Sequence, residues 1–295
     1  MEYISTKTII SKYKNDNVWF GNNYNMNIYK GCCHGCIYCD SRSNCYNIHN
    51  FDEIKVKKNV LTTIEHEIKS KRKAGVIGTG FMSDPYNPYE RVLKLTRGAL
   101  KIINNNFFGV SIDTKSCLVL RDIDILKKIS KHSPVIVKVT ITTFDNKICQ
   151  KIEPNIGNAF ERFRIIKKLS DYNIFVGVLL MPVLPFINDT NENIFNIIKF
   201  AKKNGASFIY PYFGVTLRNN QKDWFFKKLD KLFPYTKEKY IKQFGNKYIC
   251  NSPNIERLKN LFFNNCEKYG LLYKMEDIIN EYKRNYIPTQ ISLFD

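Results

Sequence analysis

The chain has 295 residues, 44% hydrophobic and 14% aromatic, with 46 Lys and Arg against 27 Asp and Glu for a formal charge of +19. Such a composition supports a packed core and excludes a disordered chain. No apolar run reaches the roughly 18 residues of a membrane helix, and the opening MEYISTKTIISKYKNDN lacks the basic flank and apolar core of a secretion signal, so a cytoplasmic protein without membrane contact is expected. A basic surface favours polyanions, DNA or RNA first. The same excess of Lys, Asn and Ile also follows from AT-rich coding.

Residues 1–26 read as an N-terminal extension. Six β-branched runs follow in order: NMNIYKGC from Asn25, AGVIGTGF from Ala74, FGVSIDTKS from Phe108, PVIVKVTITT from Pro134, IFVGVLLMPVLP from Ile174 and ASFIYPYFGV from Ala206. Near-continuous hydrophobicity is what strands buried on both faces of a parallel sheet require. Between them lie amphipathic stretches such as TTIEHEIKSKRK and NAFERFRIIKKLSDYN. In RVLKLTRGALKII, Val92, Leu95, Ala99, Ile102 and Ile103 fall on one helical face. Strand and helix alternate over residues 27–215, which predicts an α/β fold with right-handed crossovers. Six units fall short of the eight of a closed barrel, so an open, partial barrel or a doubly wound sheet is expected. Residues 216–288 read as a helical C-terminal appendage, and 289–295 as a tail.

The chain contains nine cysteines, four of them in YKGCCHGCIYCDSR, which spans Tyr29 to Arg42. In a reducing compartment this argues for metal or redox chemistry over disulfides. The stretch counts two ways: Cys32, Cys36 and Cys39 as C-x3-C-x2-C, or Cys33, Cys36 and Cys39 as C-x2-C-x2-C. Structural zinc needs a fourth ligand; His34, Cys45 or His49 are available, but the paired CxxC of a zinc ribbon is absent. Three thiolates on a short loop suit a [4Fe–4S] cluster with one iron left open. Cys45, Cys117, Cys149, Cys250 and Cys266 read as buried thiols.

C-x3-C-x2-C with an aromatic before its last cysteine, here Tyr38, resembles the signature of the radical SAM superfamily. The resemblance implies a partial (β/α)6 TIM-like barrel and assigns Cys32, Cys36 and Cys39 to the cluster, with Cys33 left over. It also implies S-adenosylmethionine on the open iron, cleaved by one electron to a 5′-deoxyadenosyl radical that abstracts hydrogen, and an electron donor such as flavodoxin or ferredoxin. Past the cluster, GTGFMSDPYNPYE, TKSCLVLRDIDIL, VTITTFD, IEPNIGNAFERF and MPVLPFIND resemble the spore photoproduct lyase branch, a DNA-repair group, from about Asn27 to Tyr210. By that likeness Ser83 and Asp84 meet or support the methionine end of the cofactor and Lys115 faces its carboxylate. Thr140 meets the ribose, and Tyr38 packs by the adenine. Glu153 and Arg162 support the barrel mouth or the cofactor. Each also has a plain reading, as turn, cap, loop or strand residue.

The sequence departs from the lyase where that branch carries a hydrogen-donor cysteine: GFMSDP offers Phe81. A phenyl ring has no S–H to give, so spore photoproduct repair is not expected. The leading expectation is a radical SAM enzyme acting on nucleic acid or a nucleobase-derived substrate, with Tyr86, Tyr89, Tyr210 and Tyr212 available to stack a base. Alternatives are the same chemistry on a peptide or small metabolite, and a non-catalytic zinc or iron–sulfur nucleic-acid-binding protein. The terminal TQISLFD, through Gln290, Leu293 and Phe294, resembles the peptide that docks on the bacterial sliding clamp; the same apolar residues could instead fold back onto the domain.

Overall fold

The computed structural model describes residues 2–13 and 19–286. Six strands, β1 (Tyr24–Met26), β2 (Val76–Thr79), β3 (Gly109–Thr114), β4 (Val135–Thr140), β5 (Phe175–Leu180) and β6 (Phe208–Pro211), lie side by side in chain order and parallel. Ile10–Lys12 adds an antiparallel strand outside β1. Helices α1 (Val60–Lys69), α2 (Leu95–Asn105), α3 (Ile123–Ile129), α4 (Ala159–Asp171) and α5 (Asn191–Lys203) fill the five crossovers. Among the described residues the edge strands do not meet, so the sheet is an open, partial barrel.

Alternation along the strands explains why both faces are apolar. Ile77, Val110, Val137, Val178 and Ile209 share one core with residues of the crossover helices. Val76, Ile136, Leu179 and Phe208 point the other way, into the concave face. That face is closed by Phe20 from the N-terminal segment and by Ile278 and Tyr282. The last two belong to the C-terminal region, which forms α6 (Gln221–Leu232), α7 (Thr236–Phe244), α8 (Ile255–Tyr269) and α9 (Met275–Lys283). Tyr282 donates its hydroxyl to the Phe20 carbonyl at 2.6 Å, tying the two ends of the chain together. Leu258, Phe262 and Cys266 of α8 join the main core. No helix among the described residues is long and apolar enough to cross a membrane.

Three local expectations change. The first strand ends at Met26, inside the stretch assigned to the extension; Tyr29–Lys30 leaves the sheet and pairs antiparallel with Lys55–Lys57. The turn at Gly31 (φ +82°) forces this departure, since a Cβ there would stand 2.4 Å from the Glu53 carbonyl oxygen. The helix expected through Val92 breaks at Lys94, which adopts φ 51°, and Val92 is 82% exposed. Glu90 is the cause: its carboxylate caps α2 by accepting the Thr96 and Arg97 N–H groups at 3.0 and 3.3 Å. Finally, the C-terminal region is not purely helical, because Gly214–Thr216 and Ile249–Asn251 form an antiparallel ribbon.

Candidate cofactor site

The cysteine loop emerges beyond β1, at the edge of the sheet where all six parallel strands end. It is laced down from several directions. Cys32 N–H donates to the Phe51 carbonyl at 2.8 Å, and Ile37 N–H to the Ile152 carbonyl at 3.0 Å. Gln221 of α6 donates its side-chain amide to the Tyr38 carbonyl at 3.1 Å, and Asn155 does the same for Cys33 at 2.8 Å. A loop so held keeps its side chains in place without a ligand.

Within it, Cys32, Cys36 and Cys39 are near enough that ionising one disfavours ionising another. Cys33 is affected instead by Asp84 and Asp52. Burial pushes the Cys32 thiol up to about 12 and raises Cys36 as well, so the bare thiols stay protonated and only a bound metal centre would draw them to thiolates. Among the described residues, no three His, Cys, Asp or Glu side chains converge on a single metal-ion position. Zinc, with Zn–S bonds of about 2.3 Å, demands such convergence. A cubane takes one thiolate on each of three separate irons and so does not require that convergence.

Asp84 organises the neighbouring strand ends. The turn that carries it begins at Gly80 (φ +105°), where a Cβ would lie 2.1 Å from the Asp113 carbonyl oxygen. Its buried carboxylate accepts the Thr114 hydroxyl at 2.8 Å and the backbone N–H groups of Lys115 and Tyr86 at 2.9 Å each. His34 Nδ1 stands 3.7 Å away; burial lowers the imidazole's proton affinity, so His34 is neutral. Ser83 donates to the Gly31 carbonyl at 2.5 Å. Both side chains of the expected pair thus join one loop to another.

Lys115 differs. Among the described residues its ammonium makes no hydrogen bond or ion pair. Its Nζ lies 5.9 Å from the centre of the Tyr38 ring. Burial disfavours its charge, but the neighbouring carboxylates of Glu153 and Asp84 favour it and its pKa is raised, so it is a cation. Tyr38 is buried and donates its hydroxyl to Glu153, which pairs with Arg162 at 2.5 Å. Arg162 also donates to the Thr140 carbonyl at 3.0 Å and the Gly157 carbonyl at 2.9 Å. The Thr140 hydroxyl, at the end of β4, has no hydrogen-bond partner among the described residues. A cleft of about 570 Å³, lined by His34, Lys115, Cys117, Asn155 and Arg162, opens beside the loop.

Sequence reading missed the concave face. Lys138 on β4 is fully buried there, 2.6 Å from Asp113 and within 2.6 Å of the Ser111 hydroxyl. Trp19 donates its indole N–H to Asp113 at 3.3 Å, and Phe81 stands 5.6 Å from the Lys138 ammonium. Both amide atoms of Asn22 are buried beside Gly78 with no hydrogen-bond partner among the described residues. The available signal was a lone lysine inside the apolar run VIVKVT. Two of the remaining cysteines also differ from expectation: Cys149, Cys250 and Cys266 are buried, but Cys45 and Cys117 are exposed. The clamp-like tail Gln290–Phe294 lies outside the described residues.

The radical SAM superfamily profile matches residues 26–215, and the chain belongs to that superfamily, whose members use a [4Fe–4S] cluster and S-adenosylmethionine. In fold it is similar to spore photoproduct lyase complexed with dinucleoside spore photoproduct, with a TM-score of 0.64 and 14% identity over 90% of this chain and 78% of that one. A radical S-adenosylmethionine methyltransferase from Kitasatospora setae, solved with tryptophan and a SAM analog, gives a TM-score of 0.54 and 10% identity over 82% of this chain and 51% of its own. At such identities the likeness is one of fold. An uncharacterized protein of Methanocaldococcus jannaschii is 36% identical over 171 residues, covering 57% of this chain and 63% of its own length. One from Mycobacterium tuberculosis is 26% identical over 226 residues, covering 74% and 66% respectively. The matched region is therefore just under two thirds of these relatives' length.

Proposed function

We propose that the chain is a radical SAM enzyme that reductively cleaves S-adenosylmethionine at a [4Fe–4S] cluster on Cys32, Cys36 and Cys39 and acts on nucleic acid or a nucleobase-derived substrate, with residues 27–215 as the catalytic unit. The observation that carries this reading is the unpaired Lys115 ammonium set beside the three-cysteine loop. A half-buried cation with no direct ion pair among the described residues invites a carboxylate, and an amino acid cofactor brings one. When bound, the group supplies a one-electron cleavage whose deoxyadenosyl radical takes a hydrogen atom from the substrate.

The chain's own residues bind and orient. Lys115 would hold the cofactor carboxylate, and Asp84 fixes the backbone from which Lys115 projects. Thr140 offers a free hydroxyl for a ribose oxygen. Tyr38, locked by Glu153 and Arg162, presents its ring for an adenine. Phe20, Ile278 and Tyr282 close the base of the concave face and exclude water from it. The nucleic-acid part rests on the +19 charge and on the fold shared with a lyase solved with a dinucleoside lesion.

The test is anaerobic reconstitution, reduction by dithionite or by a flavodoxin or ferredoxin, and assay of 5′-deoxyadenosine with single-stranded DNA, irradiated DNA, RNA or peptides added. Release stimulated by nucleic acid is expected. Stoichiometric zinc with intact S-adenosylmethionine would sink the proposal. The tail is proposed to dock on the sliding clamp; a chain ending at Pro288 should then lose clamp binding, and equal binding by both forms would remove the idea.

A further inference from the structure

Beyond the strand ends, a second cleft of about 650 Å³ lies against β6, at the open edge of the partial barrel. Tyr210, Tyr212, Phe263 and Tyr273 line it, with Lys259 and Lys274. The hydroxyls of Tyr210 and Tyr212 take no hydrogen bond among the described residues. Phe263 is 36% exposed and stands 5.1 Å from Tyr273, their planes at 35°. Lys274 has its ammonium 5.9 Å from the Tyr273 ring and makes no ion pair among the described residues. Lys259 is tied only to the exposed Glu256, at 3.1 Å.

Partly exposed aromatic rings beside the unpaired Lys274 match a base and its phosphate; the carboxylate on the same lining, Glu267, is engaged by the Tyr273 hydroxyl at 2.9 Å. A peptide adding as a further strand is disfavoured, because the outer edge of β6 is already used. Ile209 N–H donates to the Leu272 carbonyl at 2.9 Å, and Leu272 N–H to the Ser207 carbonyl at 3.1 Å. The cleft wall also packs directly against the residues of the concave face. The Tyr210 ring lies 5.8 Å from Trp19 and 5.4 Å from Phe20; Trp19 reaches Asp113 and so the buried Lys138 pair. Met275, on the cleft wall, accepts the Phe20 N–H at 3.2 Å.

We infer that this cleft holds an unpaired nucleotide of a single-stranded nucleic acid, with its base against Tyr212, Phe263 and Tyr273 and its phosphate on Lys274. The neighbouring nucleotide then lies at the mouth where Tyr210 meets Trp19. This deepens the nucleic-acid reading above and rests on it.

The test uses the reconstituted full chain and a fluorescein-labelled 12-nucleotide oligothymidylate, followed by anisotropy across a salt series. Phe263→Ser and Tyr212→Ala should weaken binding about tenfold each, and Lys274→Gln should lower the log–log salt slope by about 0.7. Lys69→Gln, on the far helix α1, is the charge-matched control and should change little. Iron content and circular dichroism of each variant report folding; Phe263 and Lys274 are surface positions, so their variants keep the test valid should Tyr212→Ala fail to fold. If wild type and Phe263→Ser bind the oligonucleotide equally, the cleft assignment is overturned and the nucleic-acid reading stands. If wild type ignores the oligonucleotide and peptides alone stimulate deoxyadenosine release, both fall together.

Discussion

The backbone N–H of Lys115 donates to the Asp84 carboxylate at 2.9 Å, and Thr114 adds its hydroxyl to the same group at 2.8 Å. Two strand ends are thereby joined at one buried anion, and the lysine side chain is aimed from that junction. Asp84→Ala strands these donors. Buried bonds to a charged group contribute about 1.5–3 kcal/mol each and do not add fully, so a loss of about 3 kcal/mol is expected in urea unfolding. A midpoint unmoved from wild type would refute this account of Asp84.

Lys115→Met tests the other half of that relationship. The variant should fold and carry the wild-type amount of iron. Its affinity for S-adenosylmethionine should fall at least tenfold, about 1.4 kcal/mol or more, by calorimetry on the reconstituted protein. Unchanged affinity would mean that the cation serves something else.

Cysteine substitution separates the two ways of counting the loop. Cys32→Ala should lose the cluster, measured as iron per chain and absorption near 400 nm (about that value for such clusters). Cys33→Ala should keep it, since Cys33, unlike Cys32 and Cys36, is not influenced by the ionisation of the other loop cysteines. Equal iron loss in the two variants would show the triplet is misassigned.

The Glu153–Arg162 pair is buried on both sides, at 0% and 1% side-chain exposure. Removing one partner leaves an uncompensated charge, and Glu153→Ala should cost about 3–5 kcal/mol. The double variant Glu153→Ala/Arg162→Met should recover part of that loss. A double variant less stable than the sum of the singles would contradict it.

Phe81 faces the concave side, with its ring 6.4 Å from Trp19 and 5.6 Å from the Lys138 ammonium. In the sequence resemblance drawn above, it takes the position at which the lyase branch has a hydrogen-donor thiol. The reduced holoenzyme should therefore leave dinucleoside spore photoproduct unconverted in a chromatographic assay. Thymine formation at a catalytic rate would require another donor.

The β/α alternation was legible because each strand of a parallel sheet is buried on both faces and shows it as an apolar run. The cysteine spacing was legible for a local reason, as the three proposed cluster ligands sit within eight residues of chain. The Asp113–Lys138 pair was hidden: the two are direct cross-strand neighbours in β3 and β4, but nothing in the linear text pairs them. Trp19 and Phe20 read only as part of an N-terminal extension, because their partners are Asp113 and the C-terminal helix α9. Likewise the exposed Val92 had the right helical period, and only the capping carboxylate of Glu90 broke that helix in two.

Taken alone, the amino-acid order determined the class of fold and the family and marked the cysteine loop as the candidate cluster site, since these depend on local periodicity and short spacing. Tertiary structure decided which cation stands unpaired beside the cysteines, that Ser83 and Asp84 spend their side chains on loop-to-loop ties, and what fills the concave face. It also decided that an aromatic cleft opens beside the last strand. Those features arise from contacts between residues far apart in the chain, where burial and charge compensation are set by neighbours that no short window of sequence contains.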